Sequence, residues 1–206
     1  MDVTPAGNAV DAILDGMDVE ALWQAGEYVD WQTGVTLPEP PPASEGYEDE
    51  THCSAYAAAA ALKLGVPLLH PGTTPVFVPE KHLANAQADW LANLPDGWQT
   101  VGGPVEAQSL ANQGYFVVIS YFNPNVSATG VAESGHIQVV RAKSGLSNAW
   151  LETEGPQITQ AGVVNYRSAT AALGFSSGYD STYSPYPWPD NVRYFAHRTI
   201  FPGVGD

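Results

Sequence analysis

The feature that most constrains this chain is a run of five consecutive alanines, Ala57–Ala61, within the segment CSAYAAAAALKLG that starts at Cys53. Gly65 and Pro67 follow this segment and are typical of a helix end, so the sequence predicts a helix over Cys53–Leu64. Side chains as small as alanine let a helix backbone lie close against a sheet. We therefore expect this helix to be central and buried.

Three further helices are predicted from capping residues and apolar spacing, over Asp18–Val29, His82–Leu94 and Val105–Gln113. Leu37–Glu50 is different, because it contains four prolines followed by a cluster of acidic residues. Such a stretch fits neither a helix nor a central strand. We expect it to connect the first helix to the alanine-rich helix.

Strands dominate the second half of the predicted structure. Five segments rich in β-branched and aromatic residues are separated by Gly, Pro, Asn and Ser: Tyr115–Tyr121, His136–Arg141, Asn148–Glu152, Gln157–Ala161 and Arg193–Ile200. Helices followed by an antiparallel meander predict an α+β fold, with the helices on one side of the sheet. We expect one domain over residues 1–206, in which 1–45 form an N-terminal helical and proline-rich extension.

Charge narrows the classes of partner. The chain has 22 acidic and seven basic residues, a formal charge of −15 that repels nucleic-acid backbones and anionic lipid surfaces. No apolar run is long enough to span a membrane, and the first residues do not resemble a signal peptide. We therefore expect neither nucleic-acid binding nor membrane insertion.

Cys53 is the only cysteine, so it has no disulfide partner within the chain. It lies at the predicted start of a helix, where unpaired N–H groups and the helix dipole favour the nucleophilic thiolate. The alternative is a buried thiol with only a packing role. His136 begins a predicted strand, and its imidazole is a candidate base for such a nucleophile, the alternative being a strand-end residue without chemistry.

The segment from Cys53 to Leu68 resembles the cysteine helix of the NlpC family of papain-like cell-wall peptidases. That family begins this helix with Asp-Cys-Ser-Gly and ends it with Gly, an aliphatic residue and Leu-Pro. Gly114–Val118 resembles the strand before the family's histidine, and Gly135, His136 and Ile137 resemble the strand start shared with the CHAP amidases. The resemblance spans roughly residues 47–162, with His52 in place of the family's Asp and Ala55 in place of its Gly.

The resemblance also implies a third catalytic residue and further contacts. Gln160 occupies the position of the polar residue that orients the histidine, through its amide oxygen, with Glu152 and Asn165 as alternatives. The backbone N–H of Cys53 and the side chain of Tyr47 are candidate oxyanion donors. Gln138 lies on the same strand face as His136, where the family has a very small residue, and is a candidate oxyanion or substrate contact.

A cysteine hydrolase that cleaves an amide bond in peptidoglycan, without metal or cofactor, is the function that this resemblance implies. His70, His82 and His197 have no partners at metal-ligand spacing. Action in the periplasm or cell wall is expected, and an antibacterial effector of this kind would have an inhibitory immunity protein. The alternatives are an inert papain-like module that binds a peptide or partner, and an acyltransferase or deacylase that uses the same Cys53 and His136.

Overall fold

The computed structural model describes residues 1–42, 51–72, 79–126, 130, 132–177 and 186–199. Its helices are α1 (Pro5–Asp15), α2 (Cys53–Lys63), α3 (Glu80–Ala92), α4 (Pro104–Asn112), α5 (Asn148–Glu154) and α6 (Ala171–Ser176). Its strands are β1 (Trp98–Val101), β2 (Tyr115–Tyr121), β3 (His136–Val140), β4 (Gln157–Gln160), β5 (Tyr166–Thr170) and β6 (Arg193–Arg198).

The strands form one six-stranded sheet in the order β1-β6-β2-β3-β4-β5. Each neighbouring pair is antiparallel, and β2 to β5 form the expected meander, while β6 returns to pair with β2 and β1. Helices and an antiparallel sheet in one chain confirm the predicted α+β class.

The predicted α2 is confirmed as a central helix. Every residue from Cys53 to Ala61 is buried, and Gly65 has a φ of 68°, which suits the glycine after a helix end. Its alanine side chains share a core with Phe116 and Val118 of β2 and with Ile137 and Val139 of β3. The small side chains therefore let α2 pack against the middle of the sheet.

The helices lie on both faces of the sheet, so the expectation of helices on one side was wrong. Alternate residues of a strand point to opposite faces. Phe116 and Val118 belong to the core that contains α1, α2 and α3 side chains, whereas Val117 and Ile119 belong to a second core with Ala107 of α4 and Phe175 of α6. The sheet is thus a middle layer between two sets of helices.

Two predicted elements were wrong in type. Asp18–Val29 is a series of turns, in which Asp18 and Trp23 have positive φ angles of 50° and 51° that a helix does not allow. Asn148–Glu152 lies in helix α5 rather than in a strand, and the Ser147 side chain caps it by accepting the Trp150 N–H at 3.2 Å.

The remaining differences are four elements that were not predicted and small shifts in the ends of predicted helices. Helices α1 and α6 and strands β1 and β5 were not predicted. The predicted helices at 82–94 and 105–113 are α3 and α4 with ends shifted by one or two residues, and Leu37–Glu50 has no helix in its described part, 37–42.

Candidate active site

Cys53 is the first residue of α2, and its position depends on an unusual helix start. His52 precedes it, but the His52 side chain makes no capping hydrogen bond to α2. The first backbone N–H groups of a helix have no partner within the helix. Because the His52 side chain does not cap them, the N–H groups at this end can interact with the Cys53 sulfur, as that of Ser54 does, and with an anion that forms next to it.

His136 is the first residue of β3, and its Cα lies opposite that of Tyr121 on β2. The imidazole interacts with the Cys53 thiol and makes an edge-on contact with the Phe175 ring, with centroids 5.4 Å apart. The structure therefore brings together the candidate nucleophile and base, which are separated by more than 80 positions in the sequence.

Gln160, the last residue of β4, is the third member of the group. Its Oε1 lies 2.9 Å from Nε2 of His136. The Gln160 amide orientation is set by its own Nε2, which donates to the carbonyl oxygens of Val164 at 3.2 Å and Gly174 at 3.4 Å. An oxygen facing His136 requires a proton on Nε2 of the ring, which leaves Nδ1 for the thiol.

Gln138 lies behind Gln160, so its expected role as an oxyanion or substrate contact was wrong. The side chain is fully buried, and its Nε2 donates to Gln160 Oε1 at 3.1 Å and to the Ala171 carbonyl at 3.4 Å. The result is a series of hydrogen bonds from Ala171 to His136 in which the orientation of each amide is fixed. The carbonyl of Ala171 fixes the Gln138 amide, the Gln138 N–H selects the oxygen of Gln160, and that oxygen selects the Nε2–H form of His136.

Helix α6 covers this pair of glutamines through Gly174. A Cβ on Gly174 would lie 2.5 Å from Nε2 of Gln138 and 2.7 Å from Oε1 of Gln160. Only glycine leaves room at this position for both amides. The glutamine pair is therefore enclosed between the sheet and α6, which explains why Gln138 does not reach a substrate.

The electrostatics favour a thiolate next to an imidazolium. Burial by itself raises the pKa of Cys53, but the charge and hydrogen bonding of His136 and the N–H groups of Ile137 and Ser54 outweigh it and lower this pKa. Burial by itself lowers the pKa of His136, but Cys53 and the bond to Gln160 reverse the direction and raise it. Each group thus stabilises the charged form of the other.

The alternatives for the third position lie elsewhere. Glu152 is an exposed residue of α5 and lines a separate depression with Met1 and Gly103. Asn165 donates through Nδ2 to the carbonyls of Val19, Leu22 and Trp23 at 2.8 to 3.1 Å, so it fixes the N-terminal turns. The expectation that Glu152 or Asn165 could orient His136 was therefore wrong. Tyr47 lies outside the described residues.

His52 and Glu80 form a buried pair that sequence reasoning missed. Nδ1 of His52 lies 2.8 Å from Oε1 of Glu80, both side chains are at most 1% exposed, and Nε2 of His52 lies 2.9 Å from the Glu27 carbonyl. The Glu27 carbonyl can only accept, so Nε2 carries a proton. The pair joins the starts of α2 and α3 to the N-terminal turns directly behind Cys53.

In chemical terms, the arrangement places the sulfur of Cys53, the imidazole of His136 and the amide oxygen of Gln160 in sequence. No group of three or more potential ligand side chains that could hold a metal occurs among the described residues. Within the same ranges, none of the helices has the length and apolar character needed to cross a membrane. No protein-family model matches this chain, and no curated protein matches it.

Proposed function

We propose that this chain is a cysteine hydrolase that cleaves amide bonds, with Cys53 as nucleophile, His136 as general base and acid, and Gln160 as the orienting residue. The observation that carries the proposal is the set of contacts from Gln160 Oε1 through His136 to Cys53, together with the opposite pKa shifts of the last two residues. Perturbed groups that interact in this way are typical of active sites.

The mechanism follows from the positions of these groups. The Cys53 thiolate attacks the carbonyl carbon, and the backbone N–H of Cys53 at the start of α2 stabilises the resulting oxyanion. The His136 imidazolium then donates its proton to the leaving amine, which leaves an acyl thioester on Cys53 and a neutral ring. His136 takes a proton from a water molecule, which attacks the thioester carbon; the C–S bond breaks, the acid product leaves, and the starting pair of Cys53 thiolate and His136 imidazolium is restored.

Peptidoglycan is the substrate that the resemblance to the NlpC family supports, and a papain-like arrangement is the fold that goes with it. A cysteine helix packed on an antiparallel sheet, with the histidine at the start of a strand, is compatible with that arrangement. A secreted antibacterial enzyme of this type would act in the cell wall and would have an inhibitory partner protein.

The test is incubation with purified muropeptides, followed by mass analysis of the products. We expect cleavage of one amide bond by the native chain, with a mass gain of one water, and no cleavage by Cys53→Ala or His136→Ala. Gln113→Leu is a matched control for chain integrity, because Gln113 is exposed and its side chain donates to Ser109 of α4. Intact muropeptides after incubation with the folded native chain would contradict this substrate.

A second candidate function is an inert module that binds a peptide or a partner protein. It is favoured by the low exposure of Cys53, which is only 4%. The two candidates differ in the chemistry of the thiol, because an inert thiol buried in the core resists alkylation at any pH that keeps the chain folded. Rapid alkylation below the usual thiol range would therefore exclude the inert module.

A further inference from the structure

Helix α3 carries three polar side chains that bond to the segments around the reacting pair. They are Glu80, Asn85 and Gln87, none of which belongs to the proposed catalytic group. An α-helix turns by roughly 100° per residue. Glu80 and Gln87 therefore lie on nearly the same face of α3, whereas Asn85 lies about 140° around the helix from Glu80. The two faces hold different parts of the site.

The face with Glu80 and Gln87 holds the residues on either side of Cys53. Oε1 of Glu80 lies 2.8 Å from Nδ1 of His52, the residue before the cysteine. Nε2 of Gln87 donates at 3.0 Å to the carbonyl oxygen of Ser54, the residue after it. Both α3 side chains are buried. These contacts fix the start of α2, and with it the nucleophile, to α3.

Asn85, on the other face, holds the connection between β2 and β3 that ends at His136. Its Nδ2 donates to the carbonyl oxygens of Asn123 and Glu133 at 3.1 and 3.0 Å, and its Oδ1 accepts the Asn123 N–H at 2.9 Å. Asn123 comes just after β2, and Glu133 comes just before His136. One amide therefore ties both ends of this connection to α3.

The packing at Gly135 couples Asn85 to the backbone of His136. A Cβ on Gly135 would overlap Oδ1 of Asn85 and would lie 2.5 Å from the carbonyl oxygen of Tyr121. Gly135 directly precedes His136, and Tyr121 lies opposite His136 in the sheet. A shift of the Asn85 amide therefore moves the backbone that carries the base.

We propose that Asn85 is a positioning residue, which sets the distance between the Cys53 sulfur and the His136 ring by fixing the β2–β3 connection to α3. The inference rests on the proposed function, because it concerns the pairing of the proposed nucleophile with the proposed base. One helix holds both halves of the pair, so its contacts determine how they meet. A displacement of about 1 Å at an active site can lower a rate roughly a hundredfold.

The test is the rate of Cys53 alkylation by iodoacetamide at about pH 6 and about pH 9, in the full-length native chain and in Asn85→Leu. Leucine has a similar volume and removes all three hydrogen bonds. At the lower pH only a thiol paired with His136 forms much thiolate, whereas at the higher pH an ordinary thiol does so as well. We expect the ratio of the low-pH rate to the high-pH rate to fall roughly tenfold or more in the variant.

Gly135→Ala is a second variant, because it displaces the Asn85 amide without removing it, and the same fall in the ratio is expected. Two controls make matched changes beyond the opposite end of β3. Asn112 is 1% exposed and binds the backbone N–H and carbonyl of Lys143 at 2.7 and 3.1 Å, with the same geometry of amide and backbone. Asn112→Leu, and Gly7→Ala, whose Cβ would overlap the Asn112 carbonyl, should lower stability in urea unfolding but leave the ratio unchanged.

An unchanged ratio in the folded Asn85 and Gly135 variants, or an equal fall in the Asn112 and Gly7 controls, would overturn the inference, because the contacts of Asn85 would then serve stability alone. A native chain alkylated only above the usual thiol range would also overturn it.

The muropeptide assay separates this inference from the proposed function. If the ratio falls as expected and no muropeptide is cleaved by the native chain, the positioning role of Asn85 stands and the hydrolase function fails. If muropeptides are cleaved and the ratio is unchanged in Asn85→Leu, the positioning role fails and the proposed function stands.

Discussion

Replacing Gln160 by leucine tests the direction of the hydrogen bonds around His136. The substitution keeps a side chain of similar size but removes the oxygen that lies 2.9 Å from His136 Nε2. Gln160 is 1% exposed, so water does not readily replace the lost acceptor. The imidazolium then has a buried N–H without a partner, and the thiolate and imidazolium pair becomes less favourable.

The expected size of the effect follows from the kind of bond that is lost. A hydrogen bond to a charged group contributes about 1.5 to 3 kcal/mol. Because 1.36 kcal/mol corresponds to a factor of ten, the thiolate population below the usual thiol range should fall roughly 10- to 150-fold. Gln160→Glu keeps an acceptor oxygen and adds a negative charge beside the imidazolium, so it should retain the population of the native chain or increase it.

The assay is the rate of Cys53 alkylation by iodoacetamide between pH 5 and 9, which is specific because the chain has one cysteine. Circular dichroism and thermal unfolding establish that each variant is folded, and Gln113→Leu is the control for loss of an exposed glutamine. Equal alkylation rates for folded Gln160→Leu and the native chain would refute the orienting role of Gln160.

Three other substitutions test the surroundings of the pair. Gln138→Glu should turn the Gln160 amide, because a carboxylate accepts from the Gln160 NH₂ group. At a pH where the His136 ring is neutral, NMR should then find its proton on Nδ1, and an unchanged Nε2–H form would contradict the role of Gln138. Gly174→Ala should destabilise the protein by about 1 to 3 kcal/mol through the 2.5 Å approach to Gln138, as urea unfolding measures. Gly16→Ala is its control, because a Cβ there meets nothing closer than 3.4 Å. His52→Ala should destabilise the protein by about 1 to 3 kcal/mol, because it removes the buried 2.8 Å contact between His52 Nδ1 and Glu80 Oε1, and an unchanged free energy of unfolding in urea would contradict a stabilising role of this contact.

The elements that could be predicted from the sequence are those with local signals. Helix α2 has its alanine run and Gly65, and β2 is a run of β-branched and aromatic residues that is buried from Phe116 to Tyr121, so neither depends on distant contacts for its type. Asp18–Val29 could not be predicted, because Asn165, more than 140 positions away, holds the carbonyls of its turns. Helix α5 had a usable signal that was missed, namely the capping residue Ser147.

In the candidate site, too, the residues with local sequence signals could be predicted, whereas those that depend on distant contacts could not. Cys53 and His136 stand at the starts of a helix and a strand, and such boundaries are visible in the sequence. The alternation of side chains along β3 correctly predicted that Gln138 shares a face with His136. The burial of Gln138 could not be predicted, because it depends on α6, which the sequence analysis did not find. The His52 and Glu80 pair joins residues 28 positions apart across two helix starts, a contact that no local pattern indicates.

The measurement that tests the central claim most directly is the titration of the Cys53 thiolate by its ultraviolet absorbance, in the native chain and in His136→Ala. Because the folded-state pKa of Cys53 is lowered, thiolate should persist below the usual thiol pKa of about 8.5 and disappear only as the pH falls through the lowered value. In His136→Ala the opposing effect of burial remains, so thiolate should appear only above the usual range. Titration curves that coincide in the two folded proteins would contradict the pairing of Cys53 with His136.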